Sequence, residues 1–301
     1  MERGKAVRIG TRGSALARRQ AEMMRAKLQQ HFPALEILVE IVETQGDRVQ
    51  DRPISLIGDK GVFIREIEVL LLDRAIDLAV HSLKDVPADV TVPGLTLAAF
   101  SEREDPRDVL ISRSGAGLID LPSGAYIGTS SPRRRALLAA SRPDLKAADI
   151  RGNVDTRLRK LREGRFDAII LAAAGLHRLG LRSEITEYLS VETWLPDAGQ
   201  GIMTLQGRAD DPLTVVAGAV DCRTSRMAAT AERAVARSLN ADCHSPIGAL
   251  ARVDGNTLTL DAIAAGDEIG RLSRERASGP AVEAERIGRE VGARLAASLG
   301  R

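Results

Sequence analysis

Cysteine and aromatic residues are scarce in this chain, and each scarcity excludes a class of protein. Two cysteines, Cys222 and Cys243, occur among 301 residues, which is too few for the disulfide framework of a small secreted domain. Aromatic residues make up 2% of the chain, so aliphatic side chains must form the core. The same scarcity argues against a nucleic-acid binder, because single strands are held largely by stacking on aromatic rings.

Long apolar runs are also absent from the sequence. The longest run lies around Ala168 to Leu176, well short of the roughly 18 residues that a membrane span requires. The first residues, MERGKAVRIGTRGS, lack the apolar core of a signal peptide. We therefore expect a soluble, cytoplasmic protein that does not interact with a membrane.

Net charge is nearly absent, although charged residues are plentiful. The chain has 43 basic and 41 acidic residues, and the resulting formal charge of +2 argues against a general polyanion binder. Six of the basic residues are lysines and the rest are arginines, whose planar guanidinium suits bidentate binding of carboxylate or phosphate. A GC-rich genome would also enrich arginine, so a functional argument must rest on the positions of individual arginines.

The stretch Asp77 to Pro87, DLAVHSLKDVP, combines an apolar strand with ionisable groups. Its apolar residues predict a buried strand, and Pro87 prevents that strand from continuing. In open α/β sheets, ligands bind at the carboxyl ends of strands, which is where Lys84 and Asp85 lie. The lysine favours the ionised form of Asp85. Asp85 is therefore the first candidate for chemistry, and a surface turn with an ordinary Lys–Asp pair is the alternative.

A repeated pattern predicts two similarly built α/β lobes. The segments RIGTRGS at 8–14 and YIGTSSP at 126–132 each contain a strand, a Gly-Thr turn and a serine that can cap the next helix. Later in each half, an amphipathic helix precedes a buried strand. A strand around Ile202 to Gln206 returns the chain to the first lobe through the flexible sequence GQG. The predicted lobes comprise residues 1–100 with 201–219, and residues 105–198.

The organisation of the chain changes after Cys222. A helix from Thr224 to Leu239 is followed by the loop ADCHSPIG, strands near Ala249 to Val253 and Thr257 to Ala264, and a helix from about Val282 to Leu299. This pattern predicts a small α+β domain over residues 222–301. Two earlier segments are polar and irregular, namely the charged linker SEREDPRD at 101–108 and the loop from Glu43 to Lys60.

Cys243 lies in a polar turn with the sequence NADCHSPIG. Free cysteines are usually buried in apolar segments, whereas an exposed loop thiol can act as a nucleophile or as an attachment point. His244 could assist it, although neighbours in sequence often point apart. Cys222 leads into a helix and is expected to be structural. Neither cysteine has a partner at ligand spacing, so we expect no metal site.

Several basic residues lie at predicted turns, where an anion could reach them. They are Arg12, Lys84, the run Arg133 to Arg135, Arg151 and Arg157. Arg157 lies in the first turn of a predicted helix, where a cation opposes the helix dipole, so this position is easier to explain if it faces an anion. Hydrogen bonds to charged groups contribute about 1.5 to 3 kcal/mol each. Such residues could together hold a multiply charged organic acid, and solvated surface arginines are the alternative.

Taken together, the motifs resemble those of the porphobilinogen deaminase family, also called the hydroxymethylbilane synthases. The resemblance runs from Ile9 to about Gly248 and rests on the order and spacing of its segments. They are IGTRGSALA, GDKGVF, EIEVLLLDRAIDLAVHSLKDVP, EREDPRD, GTSSPRRR, RGNVDTRL, DAIILAAAGLHRLGL, GQG, TAERA and the CHSPIG loop. Each segment alone is a weak signal, whereas the combination is specific.

The resemblance implies both a fold and a function. The fold would be α/β, with two lobes like those of periplasmic binding proteins, mixed sheets, and a small α+β C-terminal domain. The implied enzyme is a transferase of tetrapyrrole biosynthesis. It adds four porphobilinogen units head to tail, releases ammonia each time, and finally hydrolyses off hydroxymethylbilane. The units would be added to a dipyrromethane cofactor bound covalently, through a thioether, to Cys243.

The resemblance also implies roles for individual residues, motif by motif. Asp85 matches the catalytic aspartate, whose carboxylate can stabilise the electron-poor carbon left by ammonia and manage the pyrrole N–H proton. The residues implied to bind the cofactor, besides Cys243, are Lys84, Thr129, Ser130, Ser131, Arg133, Arg134 and Gln200. The residues implied to bind the substrate are Arg12, Ser14, Lys60, Arg151 and Arg157.

Two positions depart from the family pattern. Leu56 stands where the family often has a second lysine, and this puts the role of the loop around Lys60 in substrate binding in question. Asp242 stands where the residue before the cofactor cysteine is usually glycine. It places a negative charge beside the expected thioether, so we expect it to slow attachment of the cofactor.

The sequence supports three functional hypotheses to different degrees. We expect a working deaminase with porphobilinogen as its small-molecule substrate, acting as a monomer because no exposed apolar stripe stands out. The alternative is a non-catalytic two-lobed protein that binds a polycarboxylate anion reversibly, and the joint presence of Asp85 and Cys243 in matching motifs argues against it. A nucleic-acid binder is the third, and the acidic residues interleaved with the arginines argue against it.

Overall fold

The computed structural model describes residues 6–44, 64–88, 92–240, 245–266 and 271–300. The chain forms two compact units. Unit 1 consists of Met1–Arg103 and Ile202–Arg226, and unit 2 consists of Glu104–Gly201 and Met227–Arg301. Several residues named above, and most of the loop predicted from Glu43 to Lys60, lie outside the described residues. These residues are Leu56, Lys60, Asp242, Cys243 and His244.

The described residues form short strands alternating with helices, followed by three longer strands. The strands are β1 (Val7–Arg12), β2 (Ile37–Val42), β3 (Leu78–Ser82), β4 (Leu95–Phe100), β5 (Asp108–Ser112), β6 (Tyr126–Gly128), β7 (Lys146–Ala148), β8 (Ala168–Ala172), β9 (Glu187–Tyr188), β10 (Met203–Arg208), β11 (Ile247–Asp254), β12 (Thr257–Ala265) and β13 (Leu272–Pro280). The helices are α1 (Ala15–His31), α2 (Arg65–Leu72), α3 (Pro132–Ser141), α4 (Val154–Arg162), α5 (Ala173–Arg178), α6 (Pro212–Ala217), α7 (Arg223–Ser238) and α8 (Ala284–Ser298). None of the helices in the described ranges is both long enough and apolar enough to cross a membrane.

Unit 1 is built on a mixed five-stranded sheet in which the strand order is β2-β1-β3-β10-β4. β1 is parallel to β2 and β3, whereas β10 is antiparallel to both of its neighbours. Helices cover both faces. Val80 packs with α1 in one cluster and Ala79 packs with α2 in another, as the alternation of side chains along a strand requires.

Unit 2 contains a second five-stranded sheet, in which the order is β7-β6-β8-β5-β9. β6 is parallel to β7 and β8, and β5 is antiparallel to β8 and β9. This sheet repeats the first one strand for strand. In each sheet the second strand in the order, β1 or β6, is followed by a helix whose start is capped by a serine. Ser14 caps α1 and Ser131 caps α3. The predicted pair of α/β lobes with mixed sheets is therefore confirmed.

The C-terminal part of unit 2 is an antiparallel sheet, ordered β11-β12-β13, that packs against α7 and α8. The two helices can approach closely because Gly288 has no side chain. A Cβ at this position would clash with the Ala231 carbonyl oxygen. The predicted small α+β domain is confirmed. The sequence pattern does not predict β13, because LSRERASGP contains few apolar residues and its partner strand β12 supplies most of the buried ones.

Candidate active site

The carboxyl edge of the unit 1 sheet brings three predicted site residues together. Arg12 ends β1, while Lys84 and Asp85 lie in the 3-10 turn that follows β3. Because the two strands are parallel, their carboxyl ends share one edge. Leu83 in the same turn is buried, and its N–H donates to the Ile202 carbonyl over 2.9 Å. This anchor fixes the turn and leaves the exposed Asp85 carboxylate accessible.

Helix α1 supports the end of β3. Gln20 is buried in α1, and its Nε2–H donates to the Ser82 hydroxyl over 2.9 Å. Ser14 caps the same helix by accepting a hydrogen bond from the Ala17 N–H over 3.2 Å. The contact of Ser14 with substrate stays a prediction, since this hydroxyl already serves the helix start.

His81 of β3 is buried in a short chain of polar groups. Its Nε2 lies 3.0 Å from Gln206 Oε1, and Gln206 Nε2 donates to Glu68 Oε1 over 2.9 Å. Burial lowers the pKa of His81 to about 4, and the charge of Arg12 acts in the same direction, while the hydrogen bond to Gln206 opposes both. His81 is therefore neutral at pH 7.

In unit 2, the turn after β6 contains three predicted cofactor-binding residues. Ser130 Oγ donates to the Ile150 carbonyl over 2.9 Å and accepts from the Ile150 N–H over 3.0 Å. Thr129 Oγ1 accepts from the Ser131 N–H, and Ser131 Oγ accepts from the Arg134 N–H. These hydroxyls build the turn and join it to the segment after β7. Their contact with a cofactor stays a prediction.

Asp108 is buried at the start of β5, and it gathers three further predicted cofactor-binding residues. Arg133 and Arg134 form ion pairs with its carboxylate at 2.8 and 2.7 Å. Gln200 Nε2 donates to its Oδ1 over 2.9 Å, and the Trp194 indole N–H donates to its Oδ2 over 3.0 Å. One carboxylate thus fixes the positions of side chains from α3 and from the segment between β9 and β10.

The Asp108 carboxylate is ionised in spite of its burial. Burial raises its pKa, but the Arg133 and Arg134 guanidiniums outweigh burial and hold the pKa well below its usual range. Arg134 uses Nε and Nη2 on Asp108 and Nη1 on the Ile170 carbonyl. Arg134 therefore compensates an internal acid, and its contact with a cofactor stays a prediction.

Three buried guanidinium N–H groups in unit 2 have no acceptor among the described residues. They belong to Arg133 Nε, Arg151 Nη1 and Arg178 Nε. Buried donors normally have partners, so these three N–H groups are candidates for contact with an anionic ligand. Arg157 also lies in this region, and its Nε donates to the Gly152 carbonyl over 2.7 Å.

Sequence reasoning missed Asp108 and Arg178. Asp108 belongs to the segment SEREDPRD, which the sequence predicts to be a charged linker, whereas the structure places it in a buried strand. Arg178 ends α5, and its Nη2 donates to the Gly201 carbonyl over 2.6 Å. Burial lowers the pKa of Arg178 to about 10, although Glu104 opposes the shift. One feature of the sequence could have identified Arg178: it is a basic residue that follows the nearly continuous apolar segment from Ala168 to Leu176.

The described residues contain no group of three His, Cys, Asp or Glu side chains that could hold a metal ion. Cys222 is partly exposed, and its Sγ lies 3.2 Å from Thr224 Oγ1.

We predict that Asp108→Asn lowers the free energy of unfolding by about 3–5 kcal/mol, because it leaves two buried guanidiniums without a compensating charge. Chemical denaturation at pH 7 measures this loss. Asp149→Asn is the matched control: Asp149 pairs with Arg135, but its side chain is 70% exposed. The control should lose less than about 1 kcal/mol. Equal losses in the two variants would contradict the role given to Asp108.

We also predict an acid-dependent loss of stability from His81. In the unfolded chain the imidazole is protonated below its ordinary pKa of 6.5, whereas in the folded protein it stays neutral to about pH 4. The unfolded state thus binds more protons in this window, so stability falls as the pH drops from 6.5 to 4. The contribution is about 3 kcal/mol.

Denaturation curves at pH 7 and pH 4.5 measure this contribution in the wild type and in His81→Gln. Other groups titrate in both proteins, so the difference between them isolates the imidazole. The wild type should lose more stability than the variant over this interval. The same loss in both proteins would show that His81 is not held neutral by the fold.

Comparison with known proteins covers nearly the whole chain. Residues 7–215 match the family model "Porphobilinogen deaminase, dipyromethane cofactor binding domain", and residues 227–297 match "Porphobilinogen deaminase, C-terminal domain". A protein named porphobilinogen deaminase from Syntrophobacter fumaroxidans is 45% identical over 293 residues, which cover 96% of this chain and 94% of that relative.

Two further relatives carry the same name. The protein from Roseiflexus sp. is 48% identical over 281 residues, covering 93% of this chain and 92% of the relative. The protein from Sorangium cellulosum is 47% identical over 292 residues, covering 95% and 97%. These matches confirm the resemblance that the motifs indicated. The chain belongs to the porphobilinogen deaminase family.

Proposed function

We propose that this chain is a transferase that joins four porphobilinogen units head to tail, releases one ammonia for each, and hydrolyses off hydroxymethylbilane. The observation that supports this function most directly is the match of residues 7–215 to the cofactor-binding domain of the family. The accessible Asp85 carboxylate on an anchored turn supplies a group that suits the chemistry. The same match favours the enzyme over a two-lobed binding protein without catalytic activity.

A dipyrromethane cofactor fits the residues that the structure describes. Its pyrrole rings carry acetate and propionate groups, which require cationic donors. Arg133 Nε and Arg151 Nη1 are buried donors without an acceptor among the described residues, as expected where a ligand supplies the missing carboxylate. The remaining residues proposed to contact the cofactor or shape its site are Lys84, Thr129, Ser130, Ser131, Arg134 and Gln200.

Cys243 is the proposed point of attachment, through a thioether. Bound there, the cofactor supplies the pyrrole carbon to which the first substrate unit is joined. The thiol must be free and must react as the thiolate. The neighbouring Asp242 disfavours the thiolate by charge repulsion, so we expect attachment to be slower than it would be beside a glycine.

Asp85 is the proposed catalytic residue. When ammonia leaves the substrate, the remaining carbon becomes electron-poor, and a fixed carboxylate stabilises the positive charge that develops there. The same carboxylate can hold the proton of the pyrrole N–H. Lys84 precedes Asp85 in the same 3-10 turn. The buried Leu83 holds the turn, so the carboxylate need not reorganise during the reaction.

The substrate carries carboxylates that also need cationic partners. The residues proposed to bind them, with Ser14, are Arg12, Lys60, Arg151 and Arg157. Each hydrogen bond to a charged group contributes about 1.5–3 kcal/mol, so loss of one cation should weaken substrate binding measurably. Leu56, which stands in place of a second lysine, reduces the positive charge around Lys60.

We further propose that the protein acts as a monomer in the cytoplasm, without a membrane or nucleic acid as partner. A thiol that must stay free for attachment suits a reducing compartment. The near balance of 43 basic and 41 acidic residues disfavours binding to polyanions. Large hydrophobic residues exposed in the described ranges are scattered over different elements, which favours a monomer.

The release of ammonia from porphobilinogen by the purified full chain tests the proposal, with formation of hydroxymethylbilane followed in parallel. We expect turnover by the wild type and a loss of about 10²-fold or more in kcat for Asp85→Asn, since preorganised electrostatic stabilisation is typically of that size. Asp73→Asn changes an exposed aspartate at the end of α2 and should leave kcat unchanged. A wild type that binds porphobilinogen without releasing ammonia would favour the binding protein instead.

A further inference from the structure

The chain of side chains from Glu68 through Gln206 to His81 lies on one face of the unit 1 sheet. Gln206 belongs to β10 and His81 to β3, while Glu68 reaches them from α2. In the antiparallel register Thr204 pairs with His81 and Gln206 pairs with Ala79. Paired residues project on the same side of a sheet. The imidazole therefore lies on the same face of the sheet as the Gln206 side chain.

These hydrogen bonds determine which ring nitrogen of His81 carries the proton. The Glu68 carboxylate is an acceptor, so the Gln206 group that faces it must be the amide NH₂. The carbonyl oxygen of Gln206 then faces His81 and must accept from Nε2–H. In a neutral imidazole with a protonated Nε2, Nδ1 carries a lone pair. His81 therefore presents Nδ1 as a hydrogen-bond acceptor.

The charges around His81 keep it in this form. Gly10 of β1 pairs with Ala79 in the parallel register, and extending that register by two residues places Arg12 beside His81. Burial and the positive charge of Arg12 both lower the pKa of His81, to about 4. Glu68 of α2 is linked to the imidazole through Gln206. The hydrogen bond described for the imidazole ring is the one at Nε2.

We propose that His81 is a further catalytic residue for this reaction, whose Nδ1 accepts a hydrogen bond from the protonated aminomethyl group of porphobilinogen. The inference rests on the proposed function, and it adds a contact for the leaving group. The carbon–nitrogen bond breaks with its electron pair moving to nitrogen, so the ammonium leaves as NH₃ with its three protons. The positive charge stays on the carbon fragment, near Asp85, and His81 neither gains nor loses a proton.

A weak base is the appropriate partner for this leaving group. A strong base would take a proton from the ammonium and leave a neutral amine, which departs far less readily. A neutral imidazole beside Arg12 orients the N–H bond and leaves the proton in place. The substrate ammonium and the Arg12 guanidinium would then be two cations close together. Carboxylates of the substrate that bind Arg12 would offset the repulsion between them.

The first measurement is the tautomer of His81 in the wild-type holoprotein, by NMR of ¹⁵N-labelled histidine. The signal is assigned by its loss in His81→Gln. We expect a protonated Nε2 and an unprotonated Nδ1 at pH 7. A protonated Nδ1, or a doubly protonated ring, would overturn the proposal, and this result does not depend on whether any variant folds.

A matched pair of variants then separates a substrate contact from a structural role. The amide of His81→Asn occupies the position of Nδ1 and can still accept from the substrate, whereas it loses the bond to Gln206. The amide of His81→Gln reaches the position of Nε2 and retains that bond, whereas it loses the acceptor. We expect His81→Gln to lose roughly 10- to 100-fold in kcat, and His81→Asn to retain more of it.

The same ammonia assay distinguishes the two ways of failing. If the wild type releases ammonia and His81→Gln equals or exceeds His81→Asn in kcat, His81 is structural and the inference fails while the proposed function stands. If the wild type releases no ammonia, the proposed function fails and the inference fails with it. A lower kcat for His81→Gln than for His81→Asn supports the contact.

Discussion

The buried carboxylate of Asp108 is the interaction on which the site residues of unit 2 depend. Its two oxygens accept five hydrogen bonds, two of them from Arg134 and one each from Arg133, Trp194 and Gln200. A buried charge without partners is strongly destabilising, so replacing the acid or one of its arginines alone should lower the stability of the protein. The arrangement holds Arg133 in place and still leaves its Nε available for a ligand.

A second buried acid, Glu232 of α7, holds backbone segments in place as Asp108 holds side chains. Its carboxylate accepts from the Gly199 N–H and from the Ala251 N–H, each over 2.7 Å. Hydrogen bonds of this kind are stronger than those between neutral groups. They tie the GQG turn to a helix and to β11, while Asp108 holds the Gln200 side chain. Internal acids thus position the polar residues of a chain in which aromatic side chains are scarce.

The sequence predicted the features that depend on local structure. The strand before Asp85, the turn that contains it, and the start of α3 at Ser131 and Pro132 all follow from short-range patterns. The burial of Asp108 could not be predicted in this way, because its partners are distant in sequence. The two arginines are 25 and 26 residues away, and Trp194 and Gln200 are farther still. For the same reason, the sequence cannot distinguish an arginine that binds a ligand from one that compensates an internal acid, as Arg134 does.

The central claim is that Asp108 organises the residues that we propose to hold the cofactor. The intact mass of the purified full chain tests it directly, for the wild type, Cys243→Ser and Asp108→Asn, with folding verified by circular dichroism. The account predicts a wild type heavier than its sequence by two pyrrole units, an unmodified Cys243→Ser, and a folded but largely unmodified Asp108→Asn. A folded Asp108→Asn that carries the full added mass would contradict the account, as would an unmodified wild type.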